Sequence, residues 1–281
     1  MTSVVVELCQ NHGGDIEVVK RMVDEAVLCG AQFVKIQSFF AKDLNPAWPN
    51  YASEYDRLYG LELSWKEHEL FVNHCHNVGI TPITSVYTDR YIGQLKDCGF
   101  QWVKLGSAQA IDGWGLSHKY INAGFNLIGS TGGYSFLEAN FHKEATAYLH
   151  CVSKYPHTAN QADISRMLSL KYFLHTYIGD GISVGLSDHS DPTGDDWDYA
   201  SKLAMMLGAN YLERHFMLQG QENMKDASVS IYPEQLKELC DFSILDYEEQ
   251  AEQVPNFFGL FISPKTQSEK DLINTYTSRW K

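Results

Sequence analysis

Residues 184–216 read VGLSDHS (184–190), DPTGDDWDYASKLAMML (191–207) and GANYLERHF (208–216), and this stretch decides the fold. Its two flanks, ISVGLS and NYLERHF, are short, apolar and rich in β-branched or aromatic residues, the composition of strands. Residues 195–207 between them have helical spacing. A strand–helix–strand unit of this kind makes its two strands parallel. Each strand delivers a histidine, His189 and His215, at or just past its C-terminal end. In a parallel barrel that end is the face on which active sites are built. Two imidazoles there can share one divalent metal.

Strand-like runs recur outward from this unit, at 4–8, 33–37, 80–86, 102–105, 125–128, 147–152, 182–186 and around 211–212. Helical period falls between them, most clearly at 16–29, where Val19, Met22, Val23, Ala26 and Val27 share one face. Asp15 is a natural N-cap for that helix and Gly30 a natural stop. Further helices are expected at 64–78, 89–98, 114–123, 136–145, 164–177, 195–207 and 233–253. The alternation predicts an α/β fold, a (β/α)8 TIM barrel over residues 1–253, with a tail at 254–281. An open doubly wound sheet would show a glycine-rich turn after its first strand, and QNHGG is not GxGxxG. One connection, 39–63, is long and holds aromatics and prolines, as either a lid and substrate wall or a surface excursion.

A chain of 281 residues supports one such domain with a sizeable core. The net charge of −13, with 22 basic residues in no cluster, excludes a nucleic-acid surface. The N-terminal MTSVVVELCQNHGG lacks a leader pattern and no apolar run has membrane-spanning length, so a cytoplasmic enzyme is expected. The six cysteines are scattered and read as small buried hydrophobes in a reducing compartment.

Polar residues stand at strand end after strand end. They are Glu7, Asn11 and His12; Lys35 and Gln37; Lys104, Ser107 and Gln109; Ser130 and Thr131; His150, Ser153 and Tyr155; Ser187, Asp188 and His189; Glu213 and His215. Charge at the end of an apolar strand is costly to bury alone, so the series points to one polar, ligand-filled cavity. Lys35 and Lys104, with Ser107, Ser130 and Ser187, supply donors for a phosphate and a carboxylate. The competing assignment pairs each lysine with Glu7 or Glu213; anion binding is preferred because the chain otherwise repels anions. Among the other histidines, His74 and His76 lie two apart on a helix and cannot face one ligand. His68, His118, His142, His157 and His175 read as surface or loop residues, and His12 and His150 as structural ones.

These motifs resemble the N-acetylneuraminate (sialic acid) synthase family. ELCQNHGGD resembles the opening EIGxNHxG, FVKIQSF resembles VKFQT, and WVKLGS resembles KIxSG. In the same order IGSTGG resembles STGM, LHCVSKYP resembles HCTxxYP, VGLSDHS resembles GYSDHT, LERHF resembles IEKHF, and KDASVSI resembles the D-x-x-x-S segment. The resemblance implies a (β/α)8 transferase that condenses phosphoenolpyruvate with a sugar aldehyde like that of N-acetylmannosamine, giving a nonulosonic or related acid and phosphate. It makes His189 and His215 the metal ligands, with Mn2+ the usual ion and Mg2+ or Co2+ alternatives. It places phosphoenolpyruvate on Lys35, Lys104, Ser107, Ser130, Ser153 and Ser187. Sugar contacts fall to Gln37, Gln109, Tyr155 and Asp226, and Glu7 sits beside the metal and the reacting carbons.

Two departures stand out. The family commonly has a carboxylate at the position of Gln109, and an amide cannot act as a base. Family members also carry a C-terminal antifreeze-like domain that covers a partner's barrel and supplies an arginine; here residues 254–281 resemble the linker that precedes it. The expectation is therefore a lidless, homodimeric synthase with an altered acceptor, closed by a separate lid protein, by the 39–63 connection or by Arg279. The alternatives are another metal-dependent aldolase on the same barrel, or a non-catalytic sugar-binding homologue.

Overall fold

The computed structural model describes residues 1–111, 114–133 and 141–254. Eight parallel strands close into a barrel: β1 (Ser3–Cys9), β2 (Phe33–Ser38), β3 (Thr81–Val86), β4 (Trp102–Leu105), β5 (Asn126–Ser130), β6 (Ala147–Cys151), β7 (Ser183–Asp188) and β8 (Tyr211–Phe216). Closure comes from β8 pairing with β1, where His215 stands opposite Glu7. A two-residue β9 (Ser230–Ile231) pairs in parallel beside the end of β8. Every expected strand is present, and the barrel is the expected fold.

The helices are α1 (Ile16–Cys29), α2 (Tyr51–Tyr59), α3 (Trp65–Val78), α4 (Ile92–Asp97), α5 (Ser107–Ile111), α6 (Trp114–Asn122), α7 (Ile164–Phe173), α8 (Tyr199–Met206), α9 (Pro233–Ser243) and α10 (Tyr247–Gln253). Asp15 caps α1 by accepting from the Glu17 amide, and Gly30 ends it at φ 94°. The expected helix at 233–253 is two helices, because Asp246 accepts from the Glu249 amide at 2.9 Å and starts a new one. The one expected at 195–207 begins only at Tyr199, after turns in which Gly194 and Asp196 carbonyls accept from Trp197 and Tyr199. Of the helix expected at 136–145, residues 141–145 are turn and irregular backbone rather than helix, and the rest, like the 255–281 tail with Arg279, lies outside the described residues. No described helix is long and apolar enough to cross a membrane.

Strand parity sorts the barrel's two faces. Outward positions such as Val4, Val6, Leu8, Val34, Ile36, Val103, Leu105, Val184, Leu186 and Leu212 pack under the helices in the main core. Inward positions form layers. At the bottom Phe33 meets Trp102 and Tyr211 edge to face, with centroids 5.2 and 5.8 Å apart. Val5, Ile83, Ile128, Ala147 and Leu149 pack on these rings. Two residues further along each strand the inward side chains become polar: Glu7, Lys35, Ser85, Lys104, Ser130, Ser187 and Glu213. The dry floor is thus covalently continuous with a charged layer at the C-terminal end.

Candidate active site

That layer is the base of a cavity of about 560 Å3 at the C-terminal end of the barrel, a size suited to small ligands. Four buried charges form its floor. The Lys35 ammonium contacts the Glu7 carboxylate and stands 3.8 Å from Glu213. The Lys104 ammonium pairs with Glu213. Lys35 also donates to Ser85 Oγ at 2.9 Å, and Ser187 Oγ donates to Glu213 Oε1 at 2.8 Å. Burial draws the Lys35 ammonium down to about 7, with Glu213 pulling the other way. Burial would raise Glu213, but Lys104 and Lys35 overcome it and hold the carboxylate well below its usual range. The ion pairs ranked second from sequence are therefore present. With all four groups charged the quartet sums to zero, so an anion gains attraction there only by competing with carboxylates or arriving with a cation.

His189 and His215 face each other above this floor, ring centroids 5.3 Å apart. Burial keeps both neutral: His189 is drawn down to about 3 and His215 well below its ordinary value. His189 Nδ1 lies 3.0 Å from the Val152 carbonyl, which can only accept, so Nδ1 carries the proton and Nε2 keeps its lone pair. Ser187 Oγ is 3.3 Å from that Nε2, yet its one proton is directed to Glu213. The Nε2 lone pair thus faces an oxygen lone pair, an arrangement that favours a cation between donors. His215 Nδ1 is buried without a hydrogen-bond partner. The ligand atoms of Cys9, His215 and Asp226 all lie within 4.8 Å of one another, a set that does not include His189. The donors fit a divalent metal.

Opposite this corner, hydroxyls gather around a glycine. The Gly132 amide donates to Ser107 Oγ at 3.0 Å, and Ser107 Oγ lies 3.2 Å from Cys151 Sγ. A β-carbon on Gly132 would collide with Ser107, Cys151 and Ser153, so the glycine is required by close approach rather than by turn geometry. Ser130 completes this wall. The Tyr155 ring, half exposed, packs on His189 at 4.1 Å between centroids. Gln37 donates to Glu7 at 3.1 Å and accepts from Gln10 at 3.2 Å; Gln10 in turn accepts from Arg57 of α2 at 2.5 Å. Gln109 and Asp226 close the rim.

All thirteen positions assigned from sequence therefore stand on one cavity wall. The wall also holds residues that sequence reading left unassigned. Glu213 was recognised as a strand-end residue but given no site role; its inward parity, two before His215, is the signal that places it. Gln10, Ser85, Tyr87, Lys154, Lys225 and Ser228 line the wall as well, and only Ser85 and Tyr87 are marked by parity, two and four after the inward Ile83. Several strand-end residues do not face the cavity. Asp188 and Arg214 point outward and pair with each other at 2.7 Å, fully buried. Asn11 donates to the Phe216 carbonyl and Ser230 Oγ, and His150 Nε2 contacts the Ala162 carbonyl. His12 accepts from the Gly14 amide, and Thr131 Oγ1 lies 3.4 Å from the Leu149 carbonyl. His68, His142 and His157, read as surface or loop residues, are buried; His68 lies between Ser38 Oγ and the Ser64 carbonyl. The 39–63 connection contains α2, which buttresses the rim through Arg57; none of its residues lines the cavity.

A protein-family model described as the NeuB family matches residues 22–253. Among curated relatives, the N,N'-diacetyllegionaminic acid synthase of Campylobacter jejuni is 26% identical, across 97% of this chain and 82% of its own length. The N-acetylneuraminate-9-phosphate synthase of Drosophila melanogaster is 29% identical, across 84% of this chain and 65% of its own. The solved N-acetylneuraminic acid synthetase of Leptospira borgpetersenii superposes with a TM-score of 0.77 at 24% identity, covering 97% of this chain and 90% of that one, a likeness of fold.

Proposed function

We infer from a chain that belongs to the NeuB family, and from the cavity just described, how the residues on its wall divide the work of one condensation. The chain is a phosphoenolpyruvate-dependent synthase that joins phosphoenolpyruvate to a sugar to make a nonulosonic acid, in glycan biosynthesis. The observation that carries the residue roles is the convergence of thirteen sequence-assigned side chains, from seven strands and their loops, on one cavity over a buried charge quartet.

Phosphoenolpyruvate fits the wall of Lys35, Lys104, Ser107, Ser130, Ser153 and Ser187. Its phosphate and carboxylate take hydroxyl donors around Gly132 and the two ammonium groups, which exchange part of their pairing with Glu7 and Glu213 for the ligand. The sugar fits between Gln37, Gln109, Tyr155 and Asp226 at the rim, its aldehyde directed down toward the histidines. Members of this family are generally metal-dependent. His189 and His215 would hold the divalent ion, Mn2+ by family resemblance, with Mg2+ or Co2+ as alternatives. When bound, it polarises the aldehyde and makes its carbon a better electrophile for the weakly nucleophilic enol ether. Carbon–carbon bond formation leaves positive character at C2 of the phosphoenolpyruvate unit, which the Glu7 carboxylate stabilises. Water adds at C2, and the tetrahedral intermediate expels phosphate by C–O cleavage while the lysines and hydroxyls retain it.

The test is phosphate release from phosphoenolpyruvate with a panel of aldoses and 2-acetamido sugars, with and without Mn2+. Metal-stimulated release with one acceptor is expected, and its loss in His189→Ala and His215→Ala; release unchanged in both variants overturns the metal assignment. Gln109 at the acceptor rim leads us to expect poor turnover of N-acetylmannosamine, and turnover of that sugar at the rate of the best acceptor overturns an altered specificity. The homodimer and a covering lid belong to the same reading, and sedimentation of the purified chain reads the first.

A further inference from the structure

We propose that Cys9 supplies a thiolate to the metal of this cavity, together with His215 and Asp226, so that the centre takes cobalt or zinc in preference to manganese. This rests on the metal-dependent reading above and adds two ligands that it does not require, Cys9 and Asp226, the latter turned from the sugar to the metal.

Three observations converge. The sulfur of Cys9, a ring nitrogen of His215 and a carboxylate oxygen of Asp226 lie within 4.8 Å of one another. Metal bonds of about 2.0–2.3 Å in a tetrahedral centre put ligand atoms about 3.3–3.8 Å apart, so the three close on one ion by shifts of about 1 Å. His215 is 6% exposed and its Nδ1 has no hydrogen-bond partner. Cys9 itself holds a left-handed backbone, φ 44°, at the point where the β1–β2 register shifts between Glu7 and Cys9. A side chain is disfavoured in that conformation, and the opening motif that this segment resembles has glycine there. The bulge turns the thiol toward Asp226 and His215, just behind the cavity wall. The other described cysteines are buried away from this cluster or, for Cys151, against Ser107.

Coordination converts the thiol to a thiolate and releases its proton to solvent. A thiolate is a soft ligand that favours zinc and cobalt over manganese and magnesium, whereas carboxylate and imidazole alone discriminate less.

The experiment is a cobalt titration of the full chain under anaerobic conditions, read by absorption. Wild-type protein is expected to show visible d–d bands and a near-ultraviolet sulfur-to-cobalt charge-transfer band, both saturating at one equivalent. Cys9→Ser and Cys9→Gly, the latter suited to the left-handed backbone, are expected to lose the charge-transfer band and keep the d–d bands. Their preference for cobalt over manganese should fall about tenfold or more in competition. Cys151→Ser should keep both bands. Visible bands without charge transfer in the wild type, or a charge-transfer band that survives in both Cys9 variants, overturn the thiolate and leave the histidine site standing. Absence of all cobalt bands overturns both.

Discussion

A β-carbon on Gly132 would enter the space between the hydroxyls of Ser107 and Ser153. Overpacking of this kind costs about 1–3 kcal/mol, here borne mainly by whatever ligand those hydroxyls hold. Gly132→Ala is expected to lower kcat/KM for phosphoenolpyruvate about ten- to hundredfold, with little change in the sugar's KM; steady-state kinetics with each substrate varied checks the split. Glu213 is the complementary case. With Glu213→Gln, Lys104 loses its buried countercharge, and breaking a buried pair costs about 3–5 kcal/mol. Urea unfolding should show that loss, and calorimetry should show tighter binding of inorganic phosphate by the freed ammonium group.

The β7–β8 pair shows how an element can serve the site from its far side. Asp188 and Arg214 are register partners, each directly before a site histidine. Their outward ion pair is fully buried, and Asp188 also accepts from Ser190 and Ser201 Oγ at 2.7 and 2.6 Å. It locks the two strand ends whose inward faces carry His189 and His215. Burial would raise Asp188, but Arg214 and the hydroxyls hold its carboxyl well below the usual carboxylate range. A depressed folded pKa contributes stability that is present above the unfolded value of about 3.9 and is lost as pH falls below it toward the folded one. Asp188→Asn should therefore cost about 3–5 kcal/mol near neutral pH and flatten the stability profile below about pH 4; urea unfolding at several pH values measures both.

For the whole molecule the decisive quantity is the charge of the cavity. Its floor sums to neutrality, while the chain carries −13. A phosphate monoester of about −1.5 to −2 with an added carboxylate therefore meets no surplus positive charge on the floor. On the proposed assignment, a divalent cation held by His189 and His215 would supply it. Phosphoenolpyruvate and metal are thus expected to bind synergistically, each tightening the other by the same factor, about tenfold or more. Calorimetric titration of phosphoenolpyruvate with and without Mn2+ measures that factor, and equal affinities would remove the electrostatic account.

Periodicity in the sequence determined the barrel, because strands buried on both faces and amphipathic helices such as α1 each leave a local pattern that needs no partner to be read. Residue type at strand ends narrowed the positions that reach the cavity, since inward polar residues such as Lys35 and Lys104 have few other low-energy roles, but Asn11, Thr131, His150 and Asp188 share that type and turn elsewhere. Partnership was another matter. That Lys104 meets Glu213, that Asp188 turns away from the site to hold Arg214, and that Cys9 lies against His215 and Asp226 are contacts between residues far apart in the chain. Strand parity restricts each to a face, but only the closure of β8 on β1 and the bulge at Cys9 decide which charges share a floor. The physical reason is that parity is a local property of one strand, while the energy of a buried charge is set by whatever lies across the barrel.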